Sequence, residues 1–192
     1  MIFYWLLAYL LGSLPSGLWI TRLVKKTDIR DGGSGHVTTT NTIRQAGFLA
    51  GAAVLILDIG KGSLALWLAQ RAGLSTWSLA ITAALLVIGH CYPIFANFRG
   101  GMGLAVTGGA MLATNIPAAL IVLATLIFLV LVIKHSARGA FFASLLSPPL
   151  LWLLQFRGDA LWVMTAASLV LALRFTIDWN RKYRELWLDR EN

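Results

Sequence analysis

Charge is scarce in this sequence. Asp, Glu, Lys and Arg make up 12% of its 192 residues, eight of them acidic, while 58% of the chain is apolar. That balance excludes an ordinary soluble domain, which carries about twice the charge. Cysteine occurs once, at Cys91. A lone cysteine excludes an internal disulfide, offers no metal-ligand spacing and reads as a small buried packing group. Histidine occurs three times, without a cluster of His and carboxylates and without a recognisable Ser, His and Asp set. Metal-assisted hydrolysis and a covalent serine mechanism therefore have no support, and no metal or cofactor is expected. Internal repeats, low-complexity tracts and an extramembrane domain are also missing, which weighs against a transporter built on inverted repeats. The net charge of +8 comes from residues scattered through short loops. No basic, aromatic-studded strand or helix emerges, so nucleic acid is not an expected partner.

What the sequence does contain is long uncharged apolar runs. About 20 such residues cross a bilayer core, so the expected fold class is all-α: a polytopic membrane helix bundle of about seven transmembrane segments, with residues 1–192 forming a single integral membrane domain. The first run, Met1 to Thr21, has no basic start of the secretory kind and is expected to stay as a span. Others cover about Phe48 to Gln70 and Leu74 to Ile88. Gly100 to Ile133 is uncharged for 34 positions, about 51 Å as a helix and too long for one crossing. Asn115, Ile116 and Pro117 divide it into a short helix, about Leu104 to Thr114, and a longer one, about Pro117 to Ile133. Two more are expected at about Gly139 to Phe156, bent or interrupted by Pro148 and Pro149, and at Ala160 to Phe175. Placing the amino terminus outside and the carboxyl terminus in the cytoplasm puts 13 of the 16 basic residues inside, with Arg71 and Arg157 outside and Lys61 within the second run, as the positive-inside rule requires.

The polar features fall in a few places. Gly89 to Gly109, GHCYPIFANFRGGMGLAVTGG, interrupts apolar sequence with six glycines, His90 and Arg99. Bare glycine amides and a helix starting at about Leu104 would suit an anion; the plainer reading is a glycine-lined helix crossing. The loop Ile29 to Gly47, IRDGGSGHVTTTNTIRQAG, adds Gly33, Ser34, Gly35, Thr40, Asn41 and Arg44, a set fit to grip phosphate, although Gly and Thr are also common in turns and caps. Asp58 and Lys61 lie three apart, on one face of a helix within lipid. They form either a neutralising pair or a pair in which Lys61 leans towards phosphate. His90 stands where it could accept a proton or support an oxyanion, or simply cap a helix. In the tail, Asn180 with Arg181, Lys182 and Arg184 either closes a site or rests on anionic headgroups with Trp179, Tyr183 and Trp187 at the interface.

Taken together, these blocks resemble the acyl-phosphate:glycerol-3-phosphate acyltransferases of bacteria, the PlsY family. The likeness rests on GSG with TN and R at Gly33 to Gly35, Thr40, Asn41 and Arg44, on DxxKG at Asp58 to Gly62, on GHxxPxFxxFxGGxG at Gly89 to Gly103, and on Asn180. It implies a multi-pass enzyme of the bacterial plasma membrane, its site facing the cytoplasm. Such an enzyme moves a fatty acyl group from acyl phosphate to the 1-hydroxyl of glycerol 3-phosphate, without metal or cofactor, and makes lysophosphatidic acid. Carried over, Ser34, His90 and Asn180 are the expected catalytic residues. Gly33, Gly35, Thr40, Asn41, Arg44, Lys61, Arg99, Gly100, Gly101 and Gly103 are the expected phosphate contacts, and membrane lipids are the surroundings. The chain departs from the family pattern at Met102, typically Lys, and at His36, Thr38 and Thr39, typically Asn, Gly and Ala. The competing reading these departures allow is a lapsed or substrate-shifted homologue that binds acyl phosphate or another anionic lipid precursor.

Overall fold

The computed structural model describes residues 1–180. Arg181, Lys182, Tyr183, Arg184, Trp187 and Arg190, with the expected cytoplasmic carboxyl terminus, lie outside the described residues. Within residues 1–180 all regular structure is helical.

The first apolar run is one stretch long enough to cross, as expected, but it continues past Thr21 to Lys25 and is broken into two helices, α1 (Ile2–Ser13) and α2 (Ser16–Lys25). Pro15 is the cause. Its ring disfavours a helical preceding residue, and Leu14 is accordingly extended, with φ −65° and ψ 111°. The break strips helical partners from the end of α1, and the Gly12 and Leu14 carbonyls instead accept from Lys61 Nζ at 3.1 and 2.8 Å. Lipid offers no water for such groups, so a cation from a neighbouring helix is a fitting partner.

After a single 3-10 turn at Ile29–Asp31 comes the short helix α3 (Thr39–Ala46), begun by Thr38, whose hydroxyl accepts from the Asn41 N–H at 3.2 Å. The long α4 (Phe48–Arg71) follows, then α5 (Thr76–Cys91), a second 3-10 turn at Ile94–Ala96, and α6 (Leu104–Thr114). Asn115 starts α7 (Ile116–Ile133) by accepting from the Ala118 N–H at 2.9 Å. The chain closes with α8 (Ser136–Leu153) and α9 (Asp159–Ile177). Pro148 and Pro149 do not interrupt α8. Ser144 and Ser147, in the turn before them, donate their hydroxyls to the carbonyls of Phe141 and Ala143 at 2.7 Å. Five stretches are long and apolar enough to cross a membrane on their own: 2–25, 48–71, 76–96, 116–133 and 159–177. Of the other two expected crossings, α6 has 11 residues, and α8 is diluted by Ser136, Arg138, Ser144 and Ser147.

Glycine lets two helix pairs cross at backbone distance. A Cβ at Gly12 would overlap the Leu86 carbonyl and one at Gly89 that of Tyr9, where α1 crosses α5; Gly62 and Gly109 stand likewise against the Val106 and Ile59 carbonyls, where α4 crosses α6. Gly89 and Gly109 thus follow the plainer reading, as crossing residues. The core lies among α5, α6 and α9, where Leu86, Val106, Met111, Met164 and Leu171 are at most 2% exposed. In contrast α7 buries Ala118 and Ala119 while Leu120, Leu123, Ile127, Phe128 and Leu131 face outward, as a helix bathed in lipid should. At one end of the bundle Thr76 donates to Asp159 at 2.5 Å and Trp77 packs on Trp162, 4.5 Å between centroids, with Arg71 over Trp67 and Arg157 over Trp152. The glycine-rich loops gather at the other end.

Candidate active site

The loop before α3 is organised around Asn41, which has no exposed surface. Its amide donates to the carbonyls of Ile29, Gly32 and His36 at 3.1, 3.3 and 2.9 Å, and its Oδ1 accepts from the Ser34 N–H at 3.2 Å. Gln45 Nε2 adds bonds to Ile29 and Gly32 at 2.8 and 2.9 Å. Gly33 has φ +57°, and any Cβ there would overlap Asn41 Oδ1, so glycine is required at that point. The Gly35 N–H donates to the Gly32 carbonyl at 3.0 Å. Asn41 and Gly35 are therefore builders of the loop rather than the phosphate contacts that were expected, because their polar groups are already used within it, and Gly33 serves the same loop by the backbone conformation and close approach to Asn41 that only glycine allows. What the loop turns towards open space is Ser34, His36, Thr38, Thr39, Thr40 and Arg44. At its root Asp28 accepts from Arg22 and Arg30 at 2.8 and 2.7 Å. The Arg30 hydrogen bond holds the Asp28 carboxyl well below the usual carboxylate range, against the opposing effect of burial, and the same bond raises Arg30.

The second glycine turn behaves differently. The Gly100 N–H donates to the Cys91 carbonyl at 3.2 Å and the Gly101 N–H to the His90 carbonyl at 3.0 Å, while the Gly100 carbonyl accepts from the Val37 N–H at 3.2 Å. These two expected phosphate contacts have no amide left for an anion. A Cβ on Gly101 would overlap the His90 ring, so the glycine exists to let the turn close on the histidine. Gly103 differs again: at φ +88° it caps α6 and lines the open space with Leu104 and Ala105. Arg99, also expected at the phosphate, is exposed on the turn before and does not line that space.

Behind His90 lies a buried polar group the sequence only half disclosed. Asp58 Oδ1 accepts from Ser16 Oγ at 2.5 Å and from Lys61 Nζ at 3.0 Å, and stands 4.0 Å from His90 Nδ1. Lys61 thus follows the neutralising alternative and is corrected as a phosphate contact: its ammonium is committed to Asp58 and to the Gly12 and Leu14 carbonyls. Two further groups went unread. Arg174 Nε donates to the Gly101 carbonyl at 3.3 Å, and Asp178 lies 3.6 Å from Arg174 Nη1 and 3.2 Å from His36 Nε2. Their signal was present: an arginine and an aspartate four apart at the end of an apolar helix share one face. Asn180 accepts from Arg138 Nη2 at 3.4 Å and does not line the open space; Arg138 also holds the Trp179 carbonyl at 3.3 Å and packs over its ring. Asn180 is therefore placed with α8 rather than beside His90.

The open space is a cavity of about 430 Å³. One wall is polar, with Ser34, His36, Thr38, Thr39, Thr40, Arg44, Asp58 and His90; the other is apolar, with Leu55, Ile59, Leu112, Leu120, Leu123, Leu126 and Phe175. Leu55, Leu120 and Leu123 are also exposed on the outer surface, so the apolar part opens sideways between α4 and α7. Met102 lies buried in the wall and brings no charge. The geometry suits a ligand with an anionic head and an alkyl tail: hydroxyls and a guanidinium at one side, leucines running to the lipid at the other.

A family model described as glycerol-3-phosphate acyltransferase matches residues 2–185. Among curated relatives of that name, the one from Klebsiella pneumoniae subsp. pneumoniae is 33% identical over 186 residues, covering 95% of this chain and 90% of the relative. The Listeria welshimeri protein is 38% identical over 170 residues, 86% of this chain and 83% of the relative. The Enterococcus faecalis protein is 50% identical over 108 residues, 56% of this chain and half of that relative's length. Among solved structures, that of PlsY, an integral membrane glycerol 3-phosphate acyltransferase, in its glycerol 3-phosphate form is similar with a TM-score of 0.83 at 30% identity, covering 94% of this chain and 90% of that one. Its lysophosphatidic acid form gives a TM-score of 0.81 at 29% identity.

Proposed function

Because the chain belongs to the glycerol-3-phosphate acyltransferase family, we infer that it is a membrane acyltransferase of phospholipid synthesis, moving a fatty acyl group from acyl phosphate to the 1-hydroxyl of glycerol 3-phosphate. The observation that carries this reading is the two-sided cavity, in which Ser34, Thr40, Arg44, His90 and Gly103 meet a leucine-lined passage to the lipid. Arg44, the threonine hydroxyls and Ser34 receive phosphate oxygens, the start of α6 at Gly103 to Ala105 borders the same space, and the alkyl chain lies along Leu55, Ile59, Leu120 and Leu123. Attack by the glycerol hydroxyl forms a new C–O bond at the acyl carbon and breaks the bond to the phosphate oxygen, which leaves as phosphate. An acyl phosphate is already activated, so placement of two anions and stabilisation of the carbonyl oxygen supply most of the acceleration. The hydroxyl proton has two acceptors in reach of the chemistry, His90 and the departing phosphate. The family relationship does not favour the lapsed-binder reading, and the neutral Met102 leaves the polar wall otherwise complete.

The same reading extends to the membrane. Seven crossings result if α1 and α2 form one broken span and α6 and α8 join the five longer stretches. The amino terminus is then outside and the cavity faces the cytoplasm of a bacterial cell, with the whole chain as one membrane unit. Supporting this are the basic residues near the glycine loops and the tryptophans with Arg71 and Arg157 at the opposite end.

The test is release of phosphate from acyl phosphate by the detergent-solubilised protein, with and without glycerol 3-phosphate. Wild type is expected to release phosphate only with the acceptor present, and Ser34→Ala and Arg44→Ala to lower kcat/KM on the order of a hundredfold. Absence of acceptor-dependent release, or release indifferent to both substitutions, overturns the assignment. His90→Gln divides the proton acceptors: a loss of roughly 100-fold or more in kcat makes His90 the base, whereas a loss within about tenfold leaves the proton to phosphate.

A further inference from the structure

Three further ionisable groups meet at the polar wall of the cavity. Asp178 is 4% exposed, His36 7% and Arg174 8%. Ionisable groups at such burial are costly to keep and need partners. Here each partner belongs to a different part of the site. His36 Nε2 lies 3.2 Å from Asp178 Oδ2, and the same carboxylate oxygen is 3.6 Å from Arg174 Nη1. Arg174 Nε in turn donates to the Gly101 carbonyl, in the turn that closes on His90. His36 lines the cavity; its N–H donates to Ser34 Oγ at 3.4 Å and its carbonyl accepts from Asn41 at 2.9 Å. One carboxylate at the end of α9 is therefore shared between the residue that adjoins Ser34 and the cation that holds the turn beside His90.

We propose that Asp178 is a positioning residue for phosphate binding: through His36 it sets the loop that carries Ser34, and through Arg174 it fixes that loop against the Gly101 turn. A carboxylate 3.2 Å from Nε2 favours the ring proton on that nitrogen and restrains the ring, much as a carboxylate orients a ligand histidine from behind. Two walls built by separate segments need a common anchor if their spacing is to suit a phosphate; the Val37 to Gly100 backbone bond at 3.2 Å and the Arg30 to Ala96 bond at 2.8 Å join them away from the Ser34 side chain. Asp178 adds a point of attachment at His36, the residue bonded to Ser34, and with it the separation of Ser34 from His90 is held. A carboxylate with this role acts on substrate affinity, because it orders groups that contact phosphate without touching it.

The inference rests on the acyltransferase reading for its substrate, so binding is measured as well as turnover. Glycerol 3-phosphate and acyl phosphate are each titrated alone into the detergent-solubilised full chain, and the KM and kcat of both are determined. The proteins are wild type, Asp178→Asn, His36→Ala and the double variant, with Asp178→Glu as a conservative second carboxylate. Asp178→Asn is expected to weaken Kd and raise KM for at least one substrate by about tenfold while kcat changes less than about threefold. In the double variant the loss is no greater than in the worse single one, and Asp178→Glu restores part of the affinity. A merely structural aspartate lowers the amount of active protein, so kcat falls with KM unchanged; that pattern, or losses that multiply in the double variant, overturns the proposal. Should Asp178→Asn fail to accumulate, the same cycle with Asp178→Glu and His36→Ala decides it by the same criterion. Wild type that binds both substrates without turnover sinks the acyltransferase reading and leaves the binding cycle to judge Asp178; wild type that binds neither removes both.

Discussion

Two glycine-rich turns of similar composition frame the cavity, and they use their backbone in opposite ways. In the loop from Ile29 to Gly47 the glycines allow a buried asparagine to gather the chain, and the side chains between them are turned outward to the cavity. In the turn from Gly100 to Gly103 the first two glycines bring backbone onto backbone and onto the His90 ring, and their amides are consumed. Glycine marks close approach in both. What approaches, ligand or protein, is decided by the neighbours: the first loop is dense in hydroxyls and turns Arg44 to the cavity, whereas Arg99 beside the second turn is exposed and does not line it.

The largest effect that separates the two regions is expected from Gly101→Ala. The added methyl would overlap the His90 ring and stand 2.6 Å from the Val37 carbonyl oxygen, and overpacking of that kind costs about 1 to 3 kcal/mol. Thermal unfolding in detergent should show a lower midpoint, with activity falling alongside. Ser34→Ala, in the other region, should lower turnover with the midpoint held. A Gly101→Ala protein that keeps its midpoint and loses only affinity for phosphate substrates would erase the distinction and return the second turn to the status of a ligand contact.

The same contrast explains what was legible in the sequence. The limits of α6, Leu104 and Thr114, were readable because local chemistry sets them: Gly103 before, Asn115 and Pro117 after. Ser34, Thr40, Arg44, His90 and Gly103 were expected together and line one cavity, because their residue types declare an anion and few other polar residues are available. The misreadings share a cause. Lys61 was left open between two roles because its partners, the Gly12 and Leu14 carbonyls, become available only when Pro15 breaks the first span. Asn41 was expected at the ligand because side-chain type does not reveal whether an amide faces a phosphate or its own loop. Asp178 and Arg174 were passed over since a charged pair at the end of a last helix reads as membrane-surface decoration, and only the return of the first loop shows what they hold.

A smaller effect is expected where the first loop is rooted. Asp28 joins Arg22 and Arg30, and Arg30 Nη1 also donates to the Ala96 carbonyl at 2.8 Å, linking the root of the first loop to the second turn. Asp28→Asn should cost up to about 1 kcal/mol, the scale of near-surface ion pairs. The native carboxyl is held below the usual carboxylate range, so the folded state binds its proton less readily than the unfolded chain. Its contribution is therefore complete above the unfolded value, near pH 4, and is lost as pH falls through the lower folded value. Wild type and variant midpoints should differ at neutral pH and converge in acid; a gap that widens as pH falls would mean that another group governs this joint.

The smallest effect is expected at Arg99, and it tests the comparison from its weakest side. By composition Arg99 is as good a phosphate ligand as Arg44, and the two were expected to act together. Arg44 lines the cavity; Arg99 is exposed on a turn whose backbone is held by Ala96, and the cavity does not reach it. An exposed cation outside the site contributes only to the long-range field, which salt screens over about 8 Å at physiological strength. Arg99→Ala should leave kcat and both KM values within about twofold of wild type at that ionic strength, against the hundredfold scale expected of Arg44→Ala. If the two arginines instead prove equal, the second turn must reach the phosphate in the working enzyme, and the division between a loop that binds and a turn that joins fails at the residue where it is easiest to measure.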